Sequence, residues 1–69
     1  MLYEELEKRF TYHTPKNDQP ERYEVIRGHI RELAILLGSL CPESRELSLA
    51  YTKLEEASFW ANASIARNE

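Results

Sequence analysis

From Glu43 to Arg67 neither proline nor glycine interrupts the chain, and Leu47, Ala50, Leu54, Ala57, Ala61 and Ile65 recur at threes and fours. That spacing lines one face of an α-helix. At 1.5 Å per residue, a helix over 43–67 is about 36 Å long. A rod of that length needs a second rod to cover its stripe. The preceding segment offers one: Tyr23, Ile26, Ile30, Leu33, Leu37 and Leu40 repeat at 3, 4, 3, 4 and 3, a heptad-like seam. Pro20 suits a first helical turn, and Asp18 with Glu21 has the spacing of a capping box. Gly38-Ser39 is expected to end this helix, and Cys41-Pro42 to restart the chain. Two long helices over 20–38 and 43–67 with a short joint must be antiparallel neighbours. Upstream, Leu2, Tyr3, Leu6 and Phe10 predict a short helix over 2–10. The prolines and polar residues of Thr11 to Pro20 predict a loop. The sequence therefore predicts an all-α fold, a single helical-hairpin domain over 1–69 with a short N-terminal helix in front.

A chain of 69 residues buries little surface, and folds of this size usually carry a staple. Cys41 is the only cysteine, so no disulfide can close within the chain. With His13 and His29 it forms no recognisable ligand spacing, so no structural metal and no cofactor is expected. Self-association is the remaining supplement. Val25, Ile35, Leu36, Leu49, Phe59 and Trp60 lie off both seams, more apolar surface than a nine-residue first helix covers. The small residues Ala57, Ala61, Ala63 and Ser64 permit close helix contact. A homo-oligomer is the expectation.

No apolar run approaches the roughly 20 residues of a membrane span, and the N-terminal residues lack the order of a signal peptide, so a reducing cytoplasm is expected. A net charge of −3 argues against broad DNA or RNA binding, yet leaves room for a small anion held by a few clustered cations. Chemistry is nearly absent. Two glycines make no phosphate loop. The serines have no evident His and acid partners. Glu4-Glu5 and Glu55-Glu56 are adjacent on helices, so each pair diverges and cannot share a proton. The sequence does not suggest an enzyme.

The informative stretch lies between Lys8 and Arg31, where Lys8, Arg9, His13, Lys16, Arg22, Arg27 and Arg31 interleave with Phe10, Tyr12 and Tyr23. Cations among aromatics suit a ligand with phosphates and flat bases. The ordinary alternative makes Phe10 and Tyr23 core residues and pairs the arginines with Glu4, Glu21, Glu24 or Glu32. A turn near residues 40–41 would set Tyr23 opposite residue 58 and Arg27 opposite residue 54. The third helix would then outrun the second and bring Asn62, Arg67 and Asn68 beside the loop. Tyr12, Arg67 and the start of the second helix would meet at the open end of the hairpin, where free helix amides also favour anions.

At these residues the chain resembles a known family. Arg9-Phe10-Thr11-Tyr12-His13, Gln19-Pro20-Glu21-Arg22-Tyr23, Cys41-Pro42-Glu43-Ser44-Arg45-Glu46, Thr52 to Ala57, Trp60-Ala61-Asn62-Ala63 and Ile65 to Glu69 look like the phage anti-CBASS sponge proteins. These share a helical-hairpin domain with sponges that counter Thoeris immunity. The likeness covers about residues 9–69. It implies a compact homohexamer that captures cyclic dinucleotides of the cyclic GMP-AMP type between subunits, without cleavage. It also implies cyclic trinucleotides, such as cyclic tri-adenylate, at a separate kind of site, all within the host bacterial cytoplasm. The matching stacking aromatic is Tyr12. The matching phosphate-binding residue is Arg27, with Arg31 as runner-up, and Asn62 and Arg67 complete the set. Three other readings stay open: a helical module that inhibits a host protein, a sponge for a cyclic ADP-ribose-type signal, and a phosphodiesterase, against which the lack of metal-ligand spacing weighs.

Overall fold

The structure, a computed structural model, describes residues 3–69 and contains three helices: α1 (Tyr3–Phe10), α2 (Gln19–Leu40) and α3 (Arg45–Asn68). Leu2, expected in the first helix, lies outside the described residues. No strand occurs among the described residues. The all-α hairpin is as the sequence predicts: α2 and α3 lie side by side and α1 projects from their open end.

The joint differs from the expectation. Gly38 and Ser39 do not stop α2, which runs to Leu40 and ends at Cys41 in extended backbone, φ −113° and ψ 141°. Proline disfavours helical backbone in the residue before it, so Pro42 sets the stop at Cys41. Gly38 has an ordinary helical role instead. A Cβ there would stand 2.7 Å from the Tyr51 hydroxyl, so its absence lets α3 come close beside the turn. α3 begins at Arg45, two residues later than expected, because Ser44 is its cap: the Ser44 hydroxyl accepts from the Leu47 N–H at 3.1 Å.

The longer α2 moves the turn toward residues 42–43 and shifts the register by about one helical turn. Tyr23 shares a recess with Asn62 and Ala66 rather than standing opposite residue 58. The seam shifts as well. Leu33, Leu40 and Ala57 are exposed, while Ala34 and Ser58 are half-buried. A true helix of 3.6 residues per turn drifts off a strict heptad stripe within a few turns.

At the N-terminus of α2 the expected capping box does not form. Asp18 makes no side-chain cap bond, and its carboxylate lies 3.3 Å from Arg22 Nε. Gln19 takes over this corner. It is 4% exposed, accepts from the Lys16 N–H at 2.9 Å, and directs its amide nitrogen to the Ile65 carbonyl and the Glu69 carboxylate, each at 3.5 Å. One buried amide thereby ties the loop, α2 and the end of α3 together. Asn17 adopts φ 50°, a left-handed conformation that Asn tolerates in a turn.

Very little of the chain is core. Leu47 is the one buried hydrophobic among the described residues, while Phe10, Val25, Phe59 and Trp60 are among many large apolar side chains left exposed. Every described residue of α1 is exposed, so α1 does not cover the hairpin. The molecule measures 46 × 29 × 12 Å with a radius of gyration of 15.3 Å. A compact chain of this length would have about 11 Å. The chain is flat and open.

Candidate functional site

Three elements converge at the open end of the hairpin. α1 ends with Lys8 and Arg9, cations suited to the negative end of its dipole. The chain leaves α1 through Thr11, whose hydroxyl donates to the Glu7 carboxylate at 3.0 Å. A hydrogen bond from Tyr3, and then this one from Thr11, hold the Glu7 carboxyl below its ordinary value against some desolvation. Arg67, in the last turn of α3, reaches back and donates to the Arg9 carbonyl at 3.4 Å. That contact fixes the end of α1 against the hairpin.

The space between these elements is an open recess of about 380 Å³. Arg9, Tyr12 and His13 form one side, Tyr23 and Arg27 on α2 the floor, and Asn62 and Arg67 on α3 the far wall. Ala63 and Ala66 add no bulk, which is why α3 leaves room here. The lining contains three guanidinium groups, two phenol rings and an imidazole, and no carboxylate. Among the described residues, Arg9 pairs with Glu5 at 3.6 Å, but no carboxylate lies within ion-pair distance of Arg27 or Arg67. Charge without internal compensation is open to an anion. Tyr12 is 81% exposed, so its ring is no core residue of the chain. Asn62 lines the recess and buries its amide oxygen without a partner.

Of the five residues singled out from the sequence, the recess gathers Tyr12, Arg27, Asn62 and Arg67. Arg31 is not among its lining residues. It is exposed one turn further along α2, about 6 Å toward the hairpin's closed end. Arg9, His13 and Tyr23 line the recess without having been assigned to it, although all three belong to the basic and aromatic stretch.

The N-terminus of α2 does not open into the recess as expected. Arg22 donates to both oxygens of Glu69, at 2.9 Å through Nη1 and also through Nη2. Glu69 thus occupies the positive end of α2, a favourable place for a carboxylate. The hydrogen bonds from Arg22 hold its carboxyl below the usual range, against some desolvation and with help from Gln19. The same bonds raise the Arg22 pKa. This pair is structural, and it separates Arg22 from the free arginines of the recess.

The rim of the recess continues into two further depressions. Arg67 borders both, one beside Phe59 and Trp60 and the other beside Phe10 and Trp60. No group of three or more His, Cys, Asp or Glu residues that could hold a metal ion occurs among the described residues. No helix among them is long and apolar enough to cross a membrane.

An all-α hairpin with a basic, aromatic recess and an exposed apolar face has the character of a binding protein. The family description that matches residues 3–66 is the Acb2/Tad1 hairpin domain. The chain belongs to this family, that of the anti-CBASS and anti-Thoeris sponges, and membership implies a sponge-type anti-defence role. Comparison with curated proteins and with solved structures returns no match.

Proposed function

We propose that this chain is a phage anti-defence sponge that binds cyclic dinucleotides, and cyclic trinucleotides at a second kind of site, and releases them uncleaved. Withdrawal of these messengers in the host bacterial cytoplasm silences CBASS effectors. The observation that carries the reading is the recess: Tyr12 stands beside Arg27 and Arg67, with no carboxylate in the lining. A cyclic dinucleotide offers the complementary parts. Its bases are flat faces for Tyr12 and Tyr23, and each phosphodiester offers two non-bridging oxygens to the planar fork of a guanidinium group, which binds them bidentately.

The whole of 1–69 acts as one domain in this reading, and the working species is a homo-oligomer, a hexamer by family resemblance. Support comes from the exposed Phe10, Val25, Leu36, Phe59 and Trp60, an apolar surface that a lone soluble protomer rarely carries. A recess open on one side is also completed naturally by a second subunit. A thermal-shift panel of cyclic di- and trinucleotides tests the function. A ligand at about 100 times its dissociation constant should add roughly 2.7 kcal/mol of stability. A shift with cyclic GMP-AMP but none with linear dinucleotides or free mononucleotides is the expected result. No shift with any cyclic nucleotide, or a shift only with a cyclic ADP-ribose-type molecule, would replace this reading.

A further inference from the structure

His13 lies half-buried in the wall of the recess, with Nε2 3.1 Å from the Lys8 carbonyl oxygen. A carbonyl oxygen only accepts, so Nε2 carries the hydrogen and Nδ1 is the nitrogen left over. In the neutral ring Nδ1 presents a lone pair, which repels a phosphate oxygen. In the charged ring it is a donor with a positive charge behind it. The bond to Lys8 survives in either form, so protonation sacrifices no internal contact. The titratable and charged groups facing the recess with His13 are Arg9 from α1, Tyr12 from the loop, Tyr23 and Arg27 from α2, and Arg67 from α3. The Lys8 side chain is exposed on α1. None of these is a carboxylate. The lining itself supplies no counter-charge for an imidazolium, whereas a bound phosphate does.

We propose that His13 is a phosphate-binding residue of the recess that takes up a proton from solvent as the ligand arrives, so that capture tightens as the pH falls. The proposal rests on reading the recess as a phosphodiester site. An imidazole is the side chain whose charge ordinarily changes between pH 5 and 8. Phosphodiester and guanidinium charges stay constant there and phenols titrate well above it, so among the groups lining the recess His13 is the one that carries a change. His29, exposed on α2 outside the recess, provides the control.

The test is calorimetric titration of the intact protein with 3′,3′-cyclic GMP-AMP at about pH 6 and about pH 8, at fixed salt. A charge-assisted hydrogen bond should make binding roughly tenfold tighter at the lower pH. Repeating the titration in two buffers of different ionisation enthalpy should show uptake of about one proton or less per recess near neutral pH. His13→Gln should lose the pH dependence, and His29→Gln should keep it. Equal affinity at both pH values with no proton uptake would overturn the proposal and leave the sponge reading intact. So would a pH dependence that persists in His13→Gln. No binding at either pH would overturn both. The proton uptake of the unaltered protein is read without any variant, so a misfolded His13→Gln does not rescue the proposal.

Discussion

Replacing Tyr12 with alanine separates a stacking platform from a structural ring. Tyr12 is four-fifths exposed and sits in the loop between α1 and α2, with Arg27, Asn62 and Arg67 across the recess. So little of the ring is covered that truncation should change protomer stability by no more than about 0.5 kcal/mol. If a base of the ligand lies on that ring, its loss costs about 1–3 kcal/mol, or roughly 5- to 150-fold in affinity. Phenylalanine should keep most of this, since stacking uses the ring and not the hydroxyl. Arg27→Ala should also weaken binding, but with a flatter salt dependence than the parent, because a phosphate contact is removed. Calorimetric titration measures the affinities, and thermal unfolding with light scattering checks that fold and assembly are unchanged. Tyr12→Ala that binds as well as the parent would refute the stacking role. If it unfolds or dissociates the protein, the ring is a structural element of the assembly.

Three further outcomes follow from the architecture. Light scattering at micromolar concentration should report several times the protomer mass of 8.1 kDa, and Trp60→Glu, which puts a charge on the exposed apolar face, should shift it toward that mass; a well-folded wild-type monomer would contradict the assembly. Ser44→Ala removes the hydroxyl that caps α3 and should cost about 1 kcal/mol, read as a melting temperature lower by about 4–8 °C, whereas Ser44→Asp should restore most of it. Glu69→Gln weakens the pair with Arg22. Since the folded-state carboxyl is held below its usual value of 4.5, the advantage of the wild type should be full above that pH and disappear as the pH falls through the lowered value; an advantage that does not vary with pH would show that the pair is not its source.

The hairpin was legible in the sequence because its signal is repeated many times over, in apolar spacing along both long helices and in Pro42 at the joint. Register was less legible. It depends on where α2 stops, and Gly38 reads as a stop signal although it serves as space for the Tyr51 hydroxyl. Two residues at the turn then move every cross-helix pairing by about one turn. The corner at Gln19 could not be read at all, since a glutamine before a proline carries no mark of burial. Much of the site was legible, because the basic and aromatic residues cluster along the chain before they cluster in space. Arg22 and Arg31 show what that clustering lacks. Composition cannot distinguish the arginine held by Glu69, or the one a turn too far along α2, from Arg27 in the recess.

The central claim is capture without cleavage. Its most direct measurement is a titration with 3′,3′-cyclic GMP-AMP, followed by heat denaturation of the saturated protein and chromatography of the released nucleotide. Saturable binding and recovery of the cyclic nucleotide intact are the expected result. Absence of binding, or the appearance of a linear dinucleotide, would contradict it.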